Sequence, residues 1–432
     1  MDISKKKNIF KKENIELFVL GTLFLFPILK LSIISVLVAL LGLYVLTCNR
    51  TVFLSNLKDF RILKSFLFVT LWVFFYWMTF LFSEDKERAF NLILRTIPLI
   101  VIPFFMLYGI KPISYTKIKK LMVWFSIVSF MFLTKVYTLV LNALNHFKFN
   151  NRLSTWNVVE NFKEFSIYTS YDLLDFVRWA PFEYDIELHR TYFSLCFMLC
   201  GIFWMYDFFV KRKLYKLILA LVFIVFVFFF GSIPNVTALL IIILLICIRK
   251  VKLQYVFGGI LILFLLLNYV TTKSTYLLNQ FNRTKMYTSN VLDYNNNPTI
   301  GRIRYLDVFL ELYKKNPVLG YGAGDVENEL LKVYKEKGYD TQYIEKQNVH
   351  NYYFHLLLVG GIPLLLLFFG AIFYFTKEAI TKGNYLLFYM VIVFIFNFMS
   401  ENILARIQGI FMFSLFLCIL SKMTAIDKLE KC

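Results

Sequence analysis

Apolar residues in this chain gather into long runs joined by short basic connections, where a soluble domain would alternate between a buried and a wet face. A helix that spans a bilayer needs roughly 20 mostly apolar residues. By that ruler the pattern predicts twelve spans, at 15 to 29, 31 to 48, 66 to 82, 91 to 109, 121 to 144, 191 to 209, 214 to 231, 234 to 248, 253 to 270, 351 to 375, 384 to 399 and 404 to 421. The first two are short and separated only by Lys30, so they form either a tight pair or one re-entrant hairpin. Two polar connections, 146–190 and 271–350, are much longer than the rest. The chain therefore divides into a bundle of five spans over 1–145, an external loop over 146–190, spans six to nine over 191–270, a large external loop over 271–350, three spans over 351–421 and a tail over 422–432.

The second loop has structure of its own. A turn-rich piece, Asp293 to Thr299, precedes a helical period from Arg302 to Lys315, in which Leu306, Phe309, Leu310 and Tyr313 form an apolar stripe and Glu311 pairs with Lys315. Such a helix is expected to lie on the membrane surface with that stripe down. A second short helix is expected from Val326 to Lys337, stopped by Gly338.

Composition and charge sharpen this reading. With 59% hydrophobic residues and 50 phenylalanines in 432, the chain reads as an all-α polytopic membrane protein. Lysine and arginine cluster near positions 5–12, 50–64, 111–120, 211–216 and 249–252, in alternate connections, and again at the C-terminus. Basic connections stay cytoplasmic, which predicts an even number of spans and both termini in the cytoplasm. The net charge of +19 is thus mainly a topology signal. Nucleic-acid binding would need a basic soluble domain, and none is visible. The first span lacks a small-residue cleavage site and reads as retained. The six cysteines lie in or beside spans or in the tail, so neither a disulfide framework nor a metal site is indicated. Cys196 and Cys200 share a helix face and read as packing residues.

Candidate chemistry concentrates in the second loop. It holds Gly301-Arg302-Ile303-Arg304, then Asn316-Pro317-Val318-Leu319-Gly320-Tyr321-Gly322-Ala323-Gly324, then His350-Asn351 ahead of an apolar run containing Gly360-Gly361. Guanidinium groups grip phosphate bidentately, glycines let backbone N–H groups approach an anion, and histidine passes protons near neutral pH. Each also has a plainer role: Arg302 and Arg304 as anchors of a surface helix, the Gly320-Gly322-Gly324 turn as a connector, His350 as an interfacial polar residue. The first loop carries Asp185 and Glu187 ahead of His189-Arg190, and Arg95, Lys135 and Asp207 are charges inside spans. Glu401 is a turn cap or an acceptor-site carboxylate.

In order and spacing, these residues resemble the O-antigen ligase and polymerase family, over roughly residues 190 to 420. The family pattern has an Arg-rich helix, a Pro-containing Gly-aromatic-Gly turn, and a His followed by Asn, Ser or Gln at the start of a span with Gly some nine residues on. Here these are Arg302 and Arg304, Asn316 to Gly324, and His350-Asn351 with Gly361; Ser400 to Leu404 and Gln408-Gly409 also resemble the family's last-but-one external turn. The resemblance implies a GT-C-like membrane glycosyltransferase with no cofactor or metal, in a bacterial inner membrane. It would take an undecaprenyl-diphosphate-linked glycan as donor and a lipid, protein or second glycan as acceptor. Two departures stand out. Many members carry a Ser-Arg pair between the seventh and eighth spans, where this chain has Gly231 to Thr237 with no cation, and Leu364 stands where ligases have a small residue or Tyr.

On this reading Arg302 and Arg304 hold the diphosphate, Arg190 is a further cation, His350 is the general base and Asn351 orients sugar or imidazole. Residues two apart on a helix point about 200° from each other, so both arginines reach one diphosphate only if one lies at a frayed helix start. His355 faces elsewhere and reads as packed. Three alternatives stay open: a repeat-unit polymerase of the same family, a metal-dependent transferase using Asp185 and Glu187, and a lipid-linked glycan flippase or transporter.

Overall fold

The computed structural model describes residues 12–29, 31–150, 190–230, 233–250 and 298–424. In chain order the helices are α1 Lys12–Leu23, α2 Leu31–Cys48, α3 Arg50–Asn56, α4 Phe60–Met78, α5 Lys86–Thr96, α6 Pro98–Gly109, α7 Tyr115–Asn150, α8 Arg190–Lys211, α9 Leu214–Phe230, α10 Ile233–Lys250, α11 Pro298–Lys315, α12 Val326–Glu336, α13 Asp340–Ile344, α14 Tyr352–Thr381, α15 Tyr385–Phe398 and α16 Ile407–Ser421. No strand occurs among the described residues; one isolated bridge joins Ile113 to Met423.

Four stretches are long and apolar enough to cross a membrane: Phe60–Leu81, Lys86–Gly109, Thr191–Lys211 and Tyr352–Thr381. A fifth arises if α2 and α3, bent by 91°, count as one. The described residues are thus all-helical and make the chain a membrane protein, and by length and composition they qualify four or five of the expected twelve crossings. Helices α1, α9, α10, α15 and α16 are apolar but shorter. The expected span at 253–270 lies outside the described residues, as do Asp185, Glu187 and most of the first long loop.

Aromatic packing binds the bundle. Phe368 touches Trp72 at 5.0 Å, Tyr352 at 5.4 Å and Phe398 at 5.3 Å between ring centroids, and Phe398 reaches Phe413 at 5.5 Å, so α4, α14, α15 and α16 share one core. Such offset and edge contacts stabilise by about 0.5–1.5 kcal/mol each beyond area burial. The in-span charges have structural partners. Lys135 donates to the Ile28 carbonyl at 3.3 Å, and Arg95 to the Ala405 carbonyl at 3.3 Å. Asp207, fully buried, accepts from Tyr115 at 2.7 Å and faces Lys216 at 2.9 Å and Lys119 at 3.1 Å, tying α7, α8 and α9 together.

The tenth predicted span is not continuous. Inside α14, Gly360 has φ −136° and Gly361 has φ +65° with ψ −160°, a conformation that favours glycine. In an unbroken helix Tyr352 and Phe368 would stand about 24 Å apart. Their ring centroids are 5.4 Å apart, and Tyr353 meets Phe369 at 5.4 Å, so residues 352–359 form a short arm folded back along the helix that follows.

Breaking a helix leaves backbone groups without partners. In a continuous helix the Leu358 carbonyl would have accepted from the N–H of residue 362, and the donor for Val359 is absent because residue 363 is proline. The glycine turn supplies both: Tyr321 N–H donates to Leu358 O at 2.7 Å and Gly322 N–H to Val359 O at 2.9 Å, while Ile362 N–H reaches Pro317 O at 3.4 Å. The close approach leaves no room for a Cβ, which would stand 1.8 Å from Val318 O at Gly361 and 2.5 Å from Leu358 O at Gly320. On its other side the turn meets the outer end of α4, where Ala323 N–H donates to Thr79 Oγ1 at 3.1 Å and Gly324 N–H to Ser83 Oγ at 3.2 Å.

The expected surface helix is α11, with its Glu311–Lys315 pair at 2.9 Å. Phe309 stacks on Phe354 of the arm at 4.0 Å, and Val308, Phe309 and Leu312 form the buried face. Leu306 and Leu310 remain 43% and 42% exposed. Of the expected stripe, Phe309 thus packs on the arm, while Leu306 and Leu310 are left uncovered by protein. Helix α12 starts at Val326 as expected, and Gly338 follows its end with φ +66°.

Two outcomes follow. Asp207→Ala, which leaves Lys216 buried without its counter-ion, is expected to destabilise the protein by about 3–5 kcal/mol; thermal unfolding of the detergent-solubilised protein reads this, and an unchanged midpoint would refute the linchpin role. Gly361→Ala is expected to cost roughly 1–3 kcal/mol from backbone strain, with the overlap on Val318 adding to it. Gly370→Ala in the same helix, where nothing lies within 4 Å of a Cβ, serves as the neutral control.

Candidate functional site

The folded-back arm carries His350 away from the clasp. The helical part of the arm begins at Tyr352, about 9 Å from Leu358, and His350 stands two residues before it, which brings the imidazole to the turn between α15 and α16. His350 Nδ1 lies 3.4 Å from Glu401 Oε2, with both side chains about two-thirds shielded. The ring rests against Tyr305 of α11, centroids 4.9 Å apart. The His350 backbone has φ +43°, uncommon for a non-glycine residue, and its N–H donates to Asn348 Oδ1 at 2.8 Å.

Asn351 fixes this geometry from both ends. Its side-chain oxygen caps the arm by accepting from Phe354 N–H at 3.1 Å, and its amide donates to Met399 O at 2.9 Å. With both ends engaged, it acts by docking the arm onto the 399–406 turn. That turn is itself anchored: Tyr192 of α8 donates to Ile403 O at 3.0 Å, and a Cβ at Gly409 would stand 2.1 Å from the same oxygen.

The two arginines of α11 diverge. The helix begins at Pro298, so neither residue sits at a frayed start. Arg304 donates to Gln342 Oε1 at 3.1 Å and lies over the Tyr339 ring at 4.9 Å, bracing α11 against α13. Arg302 is exposed, makes no hydrogen bond or ion pair among the described residues, and lies within electrostatic reach of Tyr305. Arg190 is the first residue of α8; its backbone is two residues from Tyr192 and hence at the level of the 399–406 turn.

The glycine turn is not an anion cradle. The N–H groups of Tyr321, Gly322, Ala323 and Gly324 all donate within the protein, and Gly320, Gly322 and Gly324 are small because carbonyl and hydroxyl oxygens press against them. Their contribution is to hold the broken helix.

Sequence reasoning missed Tyr305 and Arg406. Tyr305 hydrogen-bonds Gln347, and burial, followed by the charges of Glu345 and Glu401, pushes its phenol up to about 12, so it stays a neutral platform for the imidazole. Its signal was faint: one aromatic, three residues after Arg302. Arg406 is exposed on the same turn as Glu401, and Arg95 reaches that turn through Ala405 O. On α11, Asp307 is held below the usual carboxylate range by the hydrogen bond from Lys337 at 2.7 Å, and that bond raises Lys337 in turn, which pins α11 to the end of α12. No group of three metal-ligating side chains forms among the described residues.

No curated protein matches the chain. Residues 190–369, from the first turn of α8 through the arm and its fold-back, match the family model described as O-antigen ligase. That segment contains α11, the glycine clasp and His350, and its match supports a relationship of this part of the chain to the O-antigen ligase family.

Proposed function

We propose that this chain is a ligase-type membrane glycosyltransferase, moving a glycan from an undecaprenyl-diphosphate carrier to an acceptor hydroxyl without a metal ion. The reading rests above all on the pairing of His350 with Glu401 at the foot of the folded-back arm. A carboxylate facing Nδ1 holds that nitrogen as the N–H donor and leaves Nε2 as the proton acceptor, the division of labour a general base needs. Glu401 and the Tyr305 platform fix the imidazole; Asn351 fixes the arm.

In the proposed step the acceptor O–H gives its proton to His350 Nε2 as its oxygen attacks the anomeric carbon. The bond from that carbon to the phosphate oxygen breaks, and the diphosphate leaves with the electron pair. One displacement inverts the anomeric configuration. Charge grows on the leaving diphosphate, and fixed cations stabilise it. Arg302 is the α11 cation available for this role, with Arg190 beside the same turn. Arg304, engaged by Gln342 and Tyr339, acts by holding α11 in place.

The donor chemistry puts the site on the external side of a bacterial inner membrane, with both termini cytoplasmic. A polymerase, which offers a second carrier-linked unit as acceptor, would use the same base and cations, so the acceptor decides between the two.

The test is glycan transfer by purified protein in detergent from a polyprenyl-diphosphate-linked donor, with either a lipid-core acceptor or a second donor unit, with and without EDTA. His350→Ala is expected to slow transfer by about 10²- to 10⁴-fold, Glu401→Gln by a smaller factor, and Arg302→Gln to weaken use of the donor. EDTA is expected to have no effect. Transfer untouched by His350→Ala, or abolished by the chelator, overturns the mechanism.

A further inference from the structure

A second concavity lies on the far side of the clasp from His350. It is a cavity of about 450 Å³ between the outer end of α4 and the start of α12, within the range of small-ligand sites. Phe82 and Tyr321 give it aromatic faces, Asn316 and Asn328 amides, and Glu84 and Glu329 carboxylates. Among the described residues no lysine or arginine lines it, although the chain carries a net charge of +19.

The walls are rigid. Tyr321 is held by its hydroxyl donating to Leu312 O at 2.8 Å and by its N–H at the broken helix. Asp325 accepts from the backbone N–H groups of Glu84 at 2.7 Å and Asp85 at 2.9 Å, and Arg88 pairs with Glu327, so α12 is clamped to the start of α5. Phe82 is 45% exposed, an aromatic left uncovered by protein at the cavity edge.

This lining suits one class of ligand. Aromatic faces cover the C–H surface of a pyranose, amides both donate to and accept from hydroxyls, and carboxylates accept hydroxyl or ammonium protons. A phosphate or polyanionic chain would meet four carboxylates, Glu84, Asp85, Asp325 and Glu329, and the one cation paired with them among the described residues, Lys332 on Glu329 at 3.1 Å, is already neutralised. We infer that the cavity is a carbohydrate subsite for neutral or amino-sugar units, separate from the position where the diphosphate is handled. Resting on the transferase reading above, it engages sugar residues remote from the reacting anomeric carbon and contributes to which glycan the enzyme accepts.

The experiment measures binding of chitotetraose, its fully de-N-acetylated counterpart and an anionic hyaluronan tetrasaccharide to the full-length protein in nanodiscs, by saturation-transfer NMR and calorimetry. The wild type is expected to bind the first two and not the third. Glu84→Gln combined with Glu329→Gln is expected to weaken the amino sugar by at least about tenfold, and Phe82→Ala to weaken both. His350→Ala is expected to keep this binding while losing transfer, which separates the fate of the subsite from that of the base. Absence of binding in the wild type, preference for the anionic sugar, or affinities unchanged by both the paired glutamine variant and Phe82→Ala overturns the proposal.

Discussion

The geometry of the molecule depends on closing a broken helix. A backbone carbonyl left unpaired in apolar surroundings costs several kcal/mol, so a helix inside a membrane protein does not break without a substitute donor. At Gly360-Gly361 the substitutes are Tyr321 N–H and Gly322 N–H. Proline at position 363 makes the substitution obligatory, because the continuous helix has no donor for Val359 even in principle. The glycine turn and the broken helix are therefore two halves of one device.

That device sets where the reactive groups stand. Folding 352–359 back along the helix carries His350, two residues ahead of the arm's first turn, away from the clasp to the turn joining α15 and α16. Those two helices are short, 14 and 15 residues, or about 21–22 Å. The imidazole thus meets Glu401 at the turn between them, where both side chains stay about one third exposed. The positive φ of His350 adds local strain, which Asn348 and Asn351 offset with three hydrogen bonds.

The sequence shows the helices more clearly than their relations. Apolar runs and caps gave α12 and the stop at Gly338 nearly to the residue, because those signals are local, and gave the end of α11 at Lys315 but not its start, which lies at Pro298 and not at Arg302. The fold-back was not legible, since Gly360-Gly361 inside an apolar run reads equally as a tolerated pair in a straight span. Nor was the buried face of α11: Phe309 belongs to two overlapping stripes, and only the arm's Phe354 selects between them. His350 and Glu401 stood out singly for their chemistry. Their meeting, 51 residues apart, depends on the arm's direction and so could not be read from spacing. The glycines were legible as special but ambiguous in purpose. N–H groups offered to an anion and N–H groups offered to a broken helix leave the same sequence trace.

The clasp also separates two kinds of surface. On the His350 side, Arg302, Arg406 and Arg95 lie near the 399–406 turn or the base of α11, together with the start of α8 at Arg190. On the other side the cavity walls carry carboxylates, amides and rings. A lipid-linked glycan has the same division along its length, with a polyanionic diphosphate at one end and uncharged or amino-bearing sugars beyond it. Opposite charges a few ångströms apart attract by several kcal/mol in a partly shielded site, and like charges repel by as much. A substrate of this kind therefore has one favourable orientation across the clasp: diphosphate toward the arginines, distal sugars toward the acidic cavity. The turn that repairs the helix thereby also gives the proposed substrate its direction.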